Sequence, residues 1–184
     1  MTFAFCLPLV VAAVLVFVAS SLIHMVIKWH QSDYQRLGNE DEVRAAIRNA
    51  SPAPGQYVIP FCADMKDAGS PDMQKKFSEG PVGMLLLRPN GMPKIGVNLS
   101  QWFALNLLVA AIAAHLAATT LGAGADGHRV FHTTALITFI AYAGGSITDA
   151  VWKGYPWKAV AKDLLDALIF GAVSGAAFAW LWPH

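Results

Sequence analysis

Four apolar runs, at residues 2–27, 99–121, 130–151 and 159–182, decide what this chain can become. A helix rises about 1.5 Å per residue, so about 20 residues cross the ~30 Å hydrocarbon layer of a bilayer, and each run is long enough. Inside hydrocarbon a lone segment must satisfy its own backbone polar groups, which leaves the helix as its form. The expected fold is an all-α membrane protein with four transmembrane helices. Composition agrees. Charged residues make up 14% of the chain and hydrophobic ones 55%, whereas a water-soluble domain carries about 25% charged residues.

The six tryptophans flank these runs. Trp29 follows the first, Trp102 opens the second, and Trp180 and Trp182 close the last. Trp152 and Trp157 bracket a short connector, Trp152-Lys153-Gly154-Tyr155-Pro156-Trp157-Lys158, between runs three and four. Indole rings favour the boundary between lipid and water, so two aromatic belts are expected. The first run lacks the basic n-region of a cleaved signal, and is expected to stay as a span. Residues 1–28 are thus the first transmembrane segment and residues 99–184 the remaining three.

Residues 29–98 are different. Most of the acidic and basic side chains lie here. Asn39 ahead of Glu40-Asp41-Glu42 predicts a helix start, with acids in the first turn, and Ser51-Pro52-Ala53-Pro54-Gly55 stops it. Residues 56–61 and 82–88 read as strands. Ser70-Pro71-Asp72 opens a short helix over 71–78. The segment is expected to be a small α+β insert between spans one and two. It is too small and proline-rich to stand confidently as a separate domain. Cys6 and Cys62 form no Cys-x-x-Cys pair and are expected as free thiols.

Four spans put the two termini and the 122–129 connector on one side of the membrane. The insert and the 152–162 connector fall on the other. Lys28, Arg36, Lys94, Lys153, Lys158 and Lys162 gather near span ends on the insert side. The positive-inside rule makes that side, with residues 29–98, cytoplasmic and the termini outside. A net charge of +1 offers no basic field for nucleic acid, so no nucleic acid partner is expected.

Two sets of side chains invite chemistry. Toward the outer side lie His115, His128 and His132, with His184 at the chain end. Imidazoles on neighbouring helices can bind haem or a transition metal. Their plainer use is hydrogen bonding between helices and solvation at the interface. Toward the cytoplasmic side lie His24, Asp149, Asp163 and Asp166. Ionisable groups at membrane depth are costly, and these form a candidate proton or cation site, with His24 or Asn106 as the neighbour of Asp166. Their plainer use is pairing with Lys153, Lys158 and Lys162 near helix ends. Gly171 and Gly175, four apart in span four, allow another helix to approach closely. They serve either the bundle or a subunit contact. No phosphate loop, zinc-protease helix or nucleophile elbow occurs in the sequence.

His24, the string Trp29-His30-Gln31-Ser32-Asp33-Tyr34, Gly80-Pro81, Gln101-Trp102 and Trp180-Leu181-Trp182-Pro183 resemble a group of small, uncharacterised four-span bacterial inner-membrane proteins. The likeness runs over nearly the whole chain. It implies a bacterial inner membrane and carries no activity or cofactor with it. The expected role is a non-catalytic accessory or scaffolding subunit of a membrane assembly, in contact with the bilayer and with a membrane-protein partner or a second copy. The alternatives are a haem- or metal-binding redox protein using the outer histidines, and a small proton or cation transporter using the cytoplasmic-side carboxylates.

Overall fold

The computed structural model describes residues 3–183; Met1, Thr2 and His184 lie outside the described residues. The chain divides into two units: Met1–Tyr34 with Lys94–His184, and Gln35–Pro93. The boundaries expected at 28/29 and 98/99 therefore shift. Residues 29–34 belong to the helical unit, because they fold back on it. Residues 94–98 belong there too, because the second long helix starts early.

The helical unit holds four long helices. These are α1 (Cys6–Leu22), extended by a π turn over Ile23–Ile27, then α4 (Ile95–Leu121), α5 (Gly127–Lys153) and α6 (Trp157–Leu181). All four are long and apolar enough to cross a membrane. This is an integral, multi-pass membrane protein with an all-α body. Each helix packs on two others: α1 on α4 and α6, and α5 on α4 and α6. The helices therefore form a closed ring.

Small side chains set how closely the ring closes. Ala12, Ala13, Ala113, Ala114 and Ala117 are almost wholly buried beside Val130 and Phe178. Gly171 and Gly175 face α5. A Cβ at Gly171 would lie 2.8 Å from the Ala135 carbonyl oxygen, and one at Gly175 would lie 2.9 Å from the Phe131 carbonyl oxygen. Their role is thus contact within the bundle, where only hydrogen fits between the backbones.

Three interior hydrogen bonds tie successive pairs of helices. Trp102 Nε1 on α4 donates to Ser20 Oγ on α1 at 2.9 Å, Tyr142 Oη on α5 donates to Asn106 Oδ1 on α4 at 2.7 Å, and Thr138 Oγ1 on α5 donates to Ser174 Oγ on α6 at 3.1 Å. Trp102 therefore turns toward neighbouring helices. The helix that carries it begins seven residues earlier than Trp102, at Ile95, so its ring lies inside the bundle against Tyr142 and Phe170. Trp182 is buried as well. It packs on Phe5 and donates 3.0 Å to the Gly122 carbonyl oxygen. Trp152, Trp157 and Trp180 are highly exposed. The 122–126 connector is also more ordered than a flexible break. Asp126 caps α5 by accepting from the backbone N–H groups of His128 and Arg129.

The Gln35–Pro93 unit holds α2 (Glu40–Asn49), β1 (Gly55–Ile59), α3 (Pro71–Glu79) and β2 (Gly83–Leu87). The strands pair antiparallel, from Gly55 opposite Leu87 to Ile59 opposite Gly83. Ser70 Oγ accepts from the Met73 N–H at 3.3 Å, the cap that Ser-Pro-Asp announces. Asn39 precedes α2 but makes no side-chain cap; its amide donates to Glu42 instead. Both cysteines are free thiols.

Candidate functional site

The first span does not simply end. After α1 the backbone widens into the π turn Ile23–Ile27, closed by the Lys28 N–H donating 2.7 Å to the Ile23 carbonyl oxygen. Lys28 takes a left-handed conformation, φ 59°, which costs a side chain about 1–2 kcal/mol. The chain reverses there into a 3-10 turn, Trp29–Asp33. That strap packs on the start of α6. Trp29 supplies apolar contact, lying against the cluster of Val16, Ile23 and Phe170.

The strap carries His30 and Asp33 on one face, three residues apart. Helix α6 answers with Lys162, Asp163 and Asp166, where Asp166 neighbours Lys162 at i, i+4 and Asp163 at i, i+3. Lys162 Nζ donates to the Trp29 carbonyl oxygen at 2.8 Å, to Ser32 Oγ at 2.7 Å and to Asp33 Oδ1. All three ammonium donors are thereby used. The other Asp33 oxygen lies 2.9 Å from His30 Nδ1. The hydrogen bond from Lys162 holds the Asp33 carboxyl below the usual carboxylate range, against the effect of burial, with His30 lowering it further.

His30 Nε2 lies 3.0 Å from Asp166 Oδ2, and Asp163 Oδ1 stands 4.0 Å from His30 Nδ1. Both ring nitrogens of His30 thus face carboxylate oxygens. An imidazolium satisfies that arrangement; a neutral ring leaves one lone pair pointing at another unless a cation stands between. His24 stacks on His30, with ring centres 5.0 Å apart and planes at 11°. Its Nδ1 lies 3.0 Å from the Ser20 carbonyl oxygen. Asp166 is buried, with its side chain 8% exposed, and its Oδ1 has no hydrogen-bond partner among the described residues. Tyr155 stands beside Asp163. Burial, then the carboxylate's negative charge, push its phenol up to about 12.

His24 and Asp166 are among the residues lining a groove of about 580 Å³. Trp102, Tyr142 and Phe170 form its apolar wall. A larger groove of about 760 Å³ lies within the Gln35–Pro93 unit, beside Arg44, Arg48 and Arg88. It holds no buried polar group without a partner among the described residues, so the bundle groove is the stronger candidate site. With neutral imidazoles, the three carboxylates Asp33, Asp163 and Asp166 against the one ammonium of Lys162 leave a formal charge of −2.

The structure thus brings together His24, Asp163 and Asp166 from the sequence reading and adds His30, Asp33 and Lys162. The neighbour of Asp166 is His30; Asn106 is engaged by Tyr142. Asp149 pairs with Lys153 at 2.6 Å on its own helix, half exposed. At the other end of the bundle His128 and His132 meet, Nε2 to Nε2, at 3.0 Å, and both are exposed. His115 is exposed on α4, and among the described residues it joins no group of three metal-ligating side chains with them. A hint of the missed residues was present: His30-x-x-Asp33 is polar, directly follows a span, and is anchored by a tryptophan. Comparison of the chain with protein-family models, with curated proteins and with solved structures returns no match.

Proposed function

We propose that this chain is a non-catalytic accessory subunit of a bacterial inner-membrane assembly. Its four helices are the anchor and its Gln35–Pro93 unit is the contact element. One observation carries this reading. Among the described residues of that unit only Met73 is buried, while Val58, Ile59, Phe61, Phe77, Met84 and Leu86 are exposed. A two-stranded sheet without a packed face is marginal in water, and such a unit gains a core by docking on a protein partner in the same assembly. The inner membrane rests on the family resemblance. The orientation, with the termini outside and the insert cytoplasmic, rests on the lysines and arginine at the span ends. A photo-crosslinking amino acid at Phe61 or Phe77 in intact cells is expected to give one discrete protein adduct. Lipid adducts alone, together with a lone monomer after gentle detergent extraction, count against the proposal.

A second reading, a protein that handles a proton or cation, is favoured by the gathering of His24, His30, Asp163 and Asp166. Toward the other end the bundle interior is closed by Ala113, Ala117, Phe178 and Trp182. The geometry therefore supports binding at one end better than passage. Liposomes that leak protons or divalent cations faster with the protein than without it would favour passage.

A further inference from the structure

We infer that His24, His30 and Asp166 form a binding site for a divalent transition metal of the zinc class, beside the groove along α1. One ligand atom from each of the three lies within 4.8 Å of the others. Two imidazole nitrogens and a carboxylate oxygen make a donor set suited to zinc or ferrous iron and poorly suited to magnesium or calcium.

Four features beyond proximity support the assignment. First, both imidazoles have Nδ1 anchored by an acceptor: His24 by the Ser20 carbonyl oxygen and His30 by Asp33. A carbonyl can only accept, so His24 carries its proton on Nδ1 and offers the Nε2 lone pair. Asp33, engaged in turn by Lys162, stands 2.9 Å from His30 Nδ1 and orients that ring likewise. This is the carboxylate–histidine arrangement that orients metal-binding rings elsewhere. Second, Asp166 Oδ1 is buried without a partner among the described residues, a costly state for a carboxylate oxygen. A cation bound to this carboxylate offsets that cost. Third, His30 Nε2 and Asp166 Oδ2 are 3.0 Å apart. Metal bonds of about 2.0–2.2 Å place neighbouring ligand atoms little further apart than this. A metal there takes the place of the shared proton, with the His24 ring stacked alongside His30. Fourth, His24 sits in the π turn, a distortion that recurs at functional sites. The formal charge of −2 derived above is neutralised by one divalent ion. Lys162 does not oppose binding, since its three donors are spent on Trp29, Ser32 and Asp33.

The test uses the full chain in detergent, purified without a polyhistidine tag and stripped with chelator, then titrated with Co²⁺ as a coloured probe. A single equivalent is expected to bind, with the visible spectrum of a low-coordinate Co²⁺ centre, and Zn²⁺ is expected to displace it. Asp33→Asn, which removes an orienting partner, is expected to weaken binding by roughly 10–100-fold. His24→Gln and Asp166→Asn are expected to weaken it more. A His128→Ala/His132→Ala double variant is expected to bind as the parent does. Because His24 is exposed, His24→Gln remains informative even if Asp166→Asn fails to fold. Absence of stoichiometric uptake overturns the assignment. So does uptake unchanged in His24→Gln, or uptake lost only with His128 and His132.

Discussion

Lys162 on α6 closes on the carboxylate of Asp33, a residue the chain reaches only after reversing at Lys28. This pair fastens the strap to the bundle, and it is buried on the Asp33 side, where the side chain is 10% exposed. Lys162→Met is expected to destabilise the helical unit by about 2 kcal/mol, the scale of lost hydrogen bonds to charged groups. The acid response should change too. A carboxyl whose folded pKa is depressed adds stability above its unfolded value of about 4. That contribution disappears as pH falls through the folded value. The parent should therefore lose this increment only below about pH 4, and Lys162→Met should lack the share that Lys162 supplies at all pH. Thermal unfolding in detergent across that range, followed by near-ultraviolet circular dichroism, measures both effects.

Tyr155 gives a second, independent pH signature. Its folded pKa of about 12 lies above the ordinary tyrosine value of about 10. The protonated phenol therefore adds stability that is complete below about pH 10 and is lost as pH rises through the folded value. The phenolate absorbance difference between the parent and Tyr155→Phe is expected to rise near pH 12. A rise centred at the ordinary value would show that burial and Asp163 do not act on this ring.

The glycines of α6 predict a contrast within one substitution type. Gly175→Ala places a methyl 2.9 Å from both the Phe131 carbonyl oxygen and the Ala135 Cβ, and Gly171→Ala meets the Ala135 carbonyl oxygen at 2.8 Å. Each is expected to cost about 1–3 kcal/mol, the usual penalty of overpacking. Gly144→Ala on α5 meets nothing within 4 Å. It should be neutral, or stabilising by up to about 1 kcal/mol through helix propensity. Melting temperatures of the three variants in one detergent decide the matter.

Tyr142→Phe removes the only donor seen on Asn106 Oδ1 among the described residues, while Asn106 Nδ2 is already without a partner. Hydrogen bonds between membrane helices are worth about 0.6–1.7 kcal/mol, so a loss of about 1 kcal/mol is expected. Adding Asn106→Leu to Tyr142→Phe should recover part of it, because the stranded amide then disappears. A double variant less stable than either single one would contradict this account.

The spans were legible because length and composition overwhelm every local signal in a run of apolar residues. Both strands and the Ser70-Pro71 helix were legible for a different reason: proline and glycine punctuate them. The strap was not. Its turning residue is Lys28, and nothing in a lysine announces a left-handed backbone. The π turn before it has no compositional mark either. The pairing of His30 with Asp166 spans 136 residues, and such pairings follow from helix packing rather than from spacing. The start of the second span was misplaced because Gly96, Asn98 and Ser100 make the first turns of α4 look like a polar connector, when those turns are helical.

The three side-chain bonds inside the ring have a further consequence. Lipid tails can replace any leucine contact at little loss, so grease alone cannot tell one neighbour from another. Ser20 with Trp102, Asn106 with Tyr142 and Thr138 with Ser174 each work as a key cut for one lock. A helix inserted in the wrong order around the circle would give up one of these matched pairs, and the observed sequence of neighbours is thereby favoured over its rivals.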